Sequence, residues 1–234
     1  MKIKVFYDGS NVNEYCNYEN VVGVTTNISF LKKAGIKDYG SFAKEVIPLV
    51  GEKPISFQVF DPTPKGIEKQ AREITSWGSN VYVKIPIVYP NGDSTIEIIK
   101  KLSSEGLKIN ITTVYTKKQI REIYDANLTG PLIVSVFCGR INDTGVDALD
   151  IMSCANVFFS ENENIETLWA GCQRTRDILD ADKIGTDIIT VPEGPLVKMN
   201  RIGLCTEKFS IKTSSDFFSD GADMFIGGDH ATSG

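Results

Sequence analysis

The chain has 234 residues and a formal net charge of −5, with acids and bases interspersed along it; this length holds one large core, and the charge balance argues against nucleic acid or an anionic membrane surface as the main partner, while leaving room for a small anionic substrate. Its five cysteines are odd in number, widely spaced and without a CxxC pair, which argues against a disulfide framework or a zinc site and fits free thiols in a reducing cytoplasm. The opening MKIKVFYDGS has no apolar leader core, and nowhere do the roughly 18 continuous apolar residues of a membrane helix occur, so a soluble, cytoplasmic protein is expected.

In chain order, short β-rich runs alternate with helix-like segments, the pattern of parallel βα units. Strands are predicted at Ile3–Asp8, Gly23–Asn27, Ile55–Val59, Val81–Pro86, Ile109–Tyr115, Leu132–Phe137, Ile165–Ala170 and Asp187–Val191. Helices are predicted near Asn11–Asn20, Ser41–Val50, Thr63–Trp77, Ser94–Glu105, Lys117–Ala126, Val146–Val157 and Gln173–Asp182. PKGIEKQAREITSWG has the apolar spacing of a helix lying on a sheet, with Gly78 as its stop. STIEIIKKLSSEG adds Ser94 as a cap, Glu97 three residues on as in a capping box, and Gly106 at the end. Eight strands with intervening helices fit a single-domain (β/α)8 TIM barrel over residues 1–193, although a doubly wound open sheet leaves much the same pattern. Residues 194–220 read as a Phe-rich helical extension that either caps its own barrel or docks on a neighbouring subunit of a homo-oligomer. Residues 221–234 read as a flexible tail. They contain the only histidine, His230, so a histidine base is not expected.

Every second side chain of a strand points to the same side, so parity sorts the strand residues. NVYVKIPIV places Lys84 opposite the row Val81, Val83 and Ile85, on the side that faces the axis of a barrel. The same side receives Asp8 in register with Phe6, Thr25 with Asn27, Ser56 with Gln58, Asn110 with Thr112, and Ser135 with Phe137. Singly, each has a structural reading: Lys84 as a snorkelling strand-end lysine, Asp8 as a turn cap, Asn27 as a turn residue, Gln58 as an edge group, Thr112 as a β-former and Phe137 as core. Together they break the Val/Ile/Leu preference of a barrel interior and point to a site at its carboxyl-terminal mouth. An amine held in a low dielectric loses affinity for its proton and can add to a carbonyl as a Schiff base. Asp8 is the carboxylate suited to move a proton during the cleavage that follows, and Gln58 and Thr112 are suited to hold a water.

VFYDGSN, GVTTNIS, VYVKIP, GLKINITTVYT, SVFCGRINDTG and AGCQRTRDIL occur in this order. In that order they resemble the motifs of the transaldolase family, specifically its short, fructose-6-phosphate aldolase-like branch, from Lys2 to about Pro192. The resemblance implies a Schiff base on Lys84, a proton-handling Asp8, and a catalytic water held by Gln58 and Thr112. It further implies a dihydroxyacetone unit contacted by Asn27, Asn110 and Ser135, with Thr25 and Phe137 beside it, and no metal or cofactor. Arg140 and Arg174, with Cys172 beside them, match the anion-binding region, and a guanidinium fork suits a tetrahedral oxyanion.

The chain departs from the family pattern at Ile28 and Val136, which replace prolines, and at Cys172 and Gln173, which replace serine and phenylalanine. Loss of the serine hydroxyl beside Arg174 leaves phosphate and sulfonate both open. Gln58 is the choice of the aldolase-like branch, whereas Phe137 is that of transaldolases. Transfer of a dihydroxyacetone unit to an aldehyde is the leading expectation. Release of free dihydroxyacetone is the alternative, and a silent sugar-phosphate binder the third.

Overall fold

Eight short runs pair in parallel and in chain order, and the eighth returns to the first, so the sheet closes without a free edge. The computed structural model describes residues 1–222 and residue 224. His230 and most of the expected tail lie outside the described residues. The chain divides into two compact units, residues 1–197 and the residues from 198 onward.

In the first unit β1 (Lys4–Asp8), α1 (Val12–Tyr15), β2 (Val21–Thr25), α2 (Ile28–Lys33) and α3 (Tyr39–Val50) lead to β3 (Ile55–Gln58), α4 (Pro64–Thr75) and β4 (Val81–Pro86). There follow α5 (Ile96–Ser104), β5 (Ile109–Val114), α6 (Lys117–Asp125), β6 (Leu132–Val136), α7 (Cys138–Asp143), α8 (Ala148–Phe159), β7 (Ile165–Trp169), α9 (Thr175–Lys183), β8 (Ile188–Val191) and α10 (Glu193–Val197). This is the (β/α)8 barrel expected from the alternation. The second unit contains a 3-10 turn, Met199–Arg201, and α11 (Thr206–Asp220). Within α11 Lys212 pairs with Asp216 one turn on, and no side chain of this helix is buried.

The helices form where sequence gives them a face and a start. In α4 Ile67, Ala71 and Ile74 recur every three or four residues and are buried, Pro64 opens the first turn, and the Thr63 hydroxyl accepts the Gly66 N–H. In α6 Thr116 and Gln119 cap each other reciprocally, with Ile120 and Ile123 turned to the barrel. Several expected boundaries differ: α1 covers only Val12–Tyr15 of the expected Asn11–Asn20, β2 ends at Thr25 and leaves Asn27 to cap α2, and two helix ends are not as read. The cap of α5 is Thr95, whose hydroxyl donates to the Pro86 carbonyl, so the Ser94–Glu97 capping box does not form; Ser94 accepts the Ile96 N–H instead. And α4 stops at Ser76 before Gly78, whose φ is not positive. Gly106, at φ 85°, does end its helix segment as expected.

Two apolar layers hold the barrel. Outside, Val81, Val83 and Ile85 of β4 and their equivalents on neighbouring strands are buried beneath the helices, each worth about 1.5–3 kcal/mol. On the axis, Phe6, Ile133, Leu168, Ala170 and Ile188 form a plug, against which Tyr82 and Phe137 pack. The polar residues of the inward row sit at the mouth above it.

Beyond β6 and β7 the chain folds back at two glycines. Gly171 adopts φ 77°, which glycine tolerates best, and the Gly139 N–H donates to the Ala170 carbonyl at 3.2 Å. A Cβ built on Gly139 would overlap the Gly171 carbonyl oxygen, a backbone atom that cannot rotate away. Gly139→Ala is therefore expected to cost about 1–3 kcal/mol, as overpacking does. Thermal unfolding should show the loss beside Gly194→Ala in α10, where a Cβ meets nothing within 4 Å; an unchanged midpoint for Gly139→Ala would contradict this packing.

Candidate active site

Lys84 lies in the middle of β4, flanked in register by Gln58 on β3 and Asn110 on β5. Its side chain is 5% exposed, so it does not snorkel into solvent. Burial holds its amine below the ordinary lysine pKa; the nearby Asp8 carboxylate opposes this and the Arg140 guanidinium adds to it. Asp8, half-buried at the end of β1, is shifted the opposite way. Burial raises its pKa, while Lys84 and a hydrogen bond from the Thr25 hydroxyl at 2.9 Å pull it down. Asp8 is thus not a turn cap: the next helix starts at Asn11 without a side-chain cap.

Around this pair the polar residues are tied across strands. The Ser135 hydroxyl donates to Asn110 Oδ1 at 2.7 Å, and Asn110 Nδ2 donates to Ser56 Oγ at 3.1 Å, spanning β4 between them. Thr25 also shares a hydrogen bond with Thr190 of β8. A fully paired ladder of this kind removes most of the desolvation cost of burying polar groups. Thr112 stands apart: its hydroxyl is buried and has no hydrogen-bond partner among the described residues. Gln58 is half-buried with its backbone N–H donating to the Tyr39 hydroxyl at 2.7 Å.

Phe137 closes one side. Its ring lies 6.0 Å from Lys84 Nζ, 5.5 Å from the Arg140 guanidinium carbon, and stacks on Tyr115 at 5.6 Å between centroids. Arg140 is exposed and has no ion-pair partner among the described residues. Arg174 is also exposed, but its guanidinium is held by the buried Asp177 at 3.1 Å. Asp177 additionally accepts the backbone N–H groups of Gln173 and Arg174, so Arg174 serves the start of its own helix. Cys172 is buried with its Sγ on the Arg174 carbonyl, and burial pushes its thiol up to about 12. Asn27 caps α2, its Oδ1 accepting the Phe30 N–H. The structure thus sets Asp8 and Phe137 beside Lys84, ties Thr25 to Asp8 and Asn110 to Ser135 in two separate hydrogen-bonded groups, and has Arg174 and Asn27 each engaged at a local helix start.

Several contributors carried little sequence signal. Ser56 shares parity with Gln58 but gave no sign of bridging to Asn110, and Thr190 is one of two inward positions on a strand that reads as plain core. Tyr39 precedes its helix's apolar period altogether. Most hidden is a bulge in β5: Ile111 faces Val134 and Val114 faces Val136, so three steps on one strand match two on the other. The extra residue is Thr113, at φ 60°, a conformation that costs a β-branched residue about 1–3 kcal/mol. Its hydroxyl, too, is buried without a partner.

Comparison with known proteins agrees with this arrangement. The chain is 31% identical over 201 residues to a probable transaldolase of Dehalococcoides mccartyi, covering 84% of this chain and 90% of that one. A probable transaldolase of Methanococcus maripaludis is 32% identical over 84% of this chain and 89% of its own. Among solved structures, 3-hexulose-6-phosphate synthase from Salmonella typhimurium superposes with a TM-score of 0.59 at 15% identity, covering 86% of this chain and 97% of that one, a likeness of fold alone. The transaldolase/fructose-6-phosphate aldolase family model matches residues 5–230, and the chain belongs to that family as a transaldolase-type enzyme.

Proposed function

We propose that the enzyme transfers a dihydroxyacetone unit from an anionic ketose to an aldehyde through a Schiff base on Lys84. The observation that carries this reading is the buried amine of Lys84, whose proton affinity burial lowers, close enough to Asp8 for each to shift the other. Lys84 Nζ adds to the ketose carbonyl, and loss of water gives an iminium. Thr112, with its unpartnered hydroxyl, and Gln58 beside Lys84 suit the water that shuttles protons in that dehydration. Asp8, made more basic by burial, takes the proton of the substrate hydroxyl next to the breaking carbon–carbon bond. The bond's electrons pass into the iminium, an aldehyde leaves, and an enamine remains on Lys84. Its carbon then attacks the acceptor aldehyde, and hydrolysis returns the amine. In this reading Asn110, Ser135 and Thr25 hold the hydroxyls of the three-carbon unit, with Asn27 joining them through its Nδ2.

Phe137 supports transfer over release. Next to Lys84 it offers a ring and no acidic hydroxyl, so the enamine is poorly protonated and persists for the acceptor. Gln58, the residue of the aldolase-like branch, is the one position that favours release. Arg140 is the better candidate of the two arginines for the substrate anion, because the Arg174 guanidinium is already paired.

Borohydride reduction in the presence of fructose 6-phosphate should leave a covalent adduct on the peptide containing Lys84, read by mass; a substrate panel giving none would sink the reading. Free dihydroxyacetone should appear slowly without acceptor and a new ketose quickly with erythrose 4-phosphate, so fast release in the absence of acceptor would favour the lyase instead. Arg140→Ala should raise KM for a phosphorylated ketose by about one to two powers of ten, the scale of a charge-assisted hydrogen bond, and Arg174→Ala by much less; equal effects would put both guanidinia on the anion.

Stability supplies a separate check. Folding raises the proton affinity of Asp8, so its cost to the folded state grows as pH rises from 3.8; it lowers that of Lys84, so the cost of Lys84 fades as pH approaches 10.5. The double variant Asp8→Asn/Lys84→Met should be inactive yet about 1–4 kcal/mol more stable near neutral pH, with the gain shrinking toward both pH limits. A double variant less stable than wild type in chemical denaturation would show that the pair is net stabilising.

A further inference from the structure

The extra residue in β5 decides which side chain reaches the mouth. Asn110 and Thr112 face inward, and simple alternation would send Val114 the same way. With Thr113 inserted, Val114 comes level with the outward Val136 and is fully buried, and alternation resumed from there assigns the following residue, Tyr115, to the cavity side. There its ring stacks on Phe137 with an interplanar angle of 24°, and Phe137 in turn packs against the axial plug beside Lys84. Thr113 gains nothing locally from its left-handed backbone, since its hydroxyl is unpartnered. A strained residue with no local return is kept for what it presents to its neighbours.

We propose that Tyr115 is a positioning residue: the Thr113 bulge swings its ring inward to clamp Phe137 against the Lys84 amine and keep water from that face. The proposal rests on Lys84 being the reacting amine. The charged groups acting on Lys84 are Asp8 from β1 and Arg140 from α7, while its register neighbours, Gln58 and Asn110, are neutral. Neither charge contacts Tyr115 through an ion pair or hydrogen bond among the described residues, so the ring acts on Lys84 only through Phe137, over which Arg140 also lies at 5.5 Å; water reaching the amine and Arg140 moving off with the ring both raise the midpoint.

The test measures the titration midpoint of Lys84 directly, without sugar, by pH-dependent labelling with acetic anhydride and mass analysis of its peptide. Tyr115→Ala should move the midpoint up by about one unit as water reaches the amine. Tyr115→Phe, which keeps the stack, should leave it within a few tenths of a unit of wild type. Thr113→Gly, which holds the bulge at lower strain, should also leave it in place. Should Tyr115→Ala not fold, Tyr115→Leu, which keeps bulk without the flat ring, is read in its stead with the same expectation. A folded alanine or leucine variant with the wild-type midpoint overturns the clamp. So does a phenylalanine variant shifted as far as alanine, which would place the effect in the hydroxyl. A shifted Thr113→Gly would remove the bulge from the account. Ketose trapping on wild type is run in parallel: its failure would strike the Schiff-base reading, whereas the labelling midpoint is obtained whether or not an adduct forms.

Discussion

A lysine amine inside a closed barrel is the constraint on which the rest of the molecule turns. A charge there is expensive and an uncharged amine is reactive, so whatever surrounds Lys84 bears on the stability of the fold and, in the proposed reaction, on the chemistry of the mouth. The barrel meets this with one carboxylate, one aromatic ring and a set of neutral hydrogen-bonding groups. Asp8 tempers the burial of Lys84 without abolishing it, and the reverse holds for Lys84 acting on Asp8. Two groups whose proton affinities are pushed toward each other exchange protons at little cost, which suits a reaction that needs an amine, a base and an acid in turn.

The neutral groups do more than fill space. Asn110 uses its carbonyl toward Ser135 and its amide toward Ser56, which fixes its flip state and ties three strands across the axis. Thr25 does the same for Asp8 and Thr190. Against these satisfied groups, the bare hydroxyls of Thr112 and Thr113 stand out, and both belong to the bulged end of β5. Strain and unmet hydrogen bonding coincide at that end of β5, above an apolar plug.

The barrel was legible because its signals are local and repeated. Alternation along each strand placed Lys84, Asp8, Asn110 and Ser135 on one side, and one closed sheet then brought them to one end. Boundaries were less so: a serine followed by a glutamate three residues on looks like a cap at Ser94, but Thr95 is tied to the end of β4 and takes the position. The short helices α2 and α7 are too brief to show a period. The bulge at Thr113 was invisible because one added residue leaves composition untouched while reversing parity beyond it, so Val114 and Tyr115 exchange the faces that strict alternation assigns them. Arg174 illustrates a different limit. A motif can put an arginine at the expected place, but the pairing of its guanidinium with a buried carboxylate three residues later shows only in the fold.

The contact between Gly139 and Gly171 joins the segments that follow β6 and β7, main chain against main chain. Neither segment can be redrawn alone, since a longer or bulkier turn in one collides with the other's peptide. For anyone recombining barrels of this family, the pair behaves as one cassette: Arg140 and Cys172 travel together, and a chimera spliced between them inherits two halves of a contact that no longer mesh.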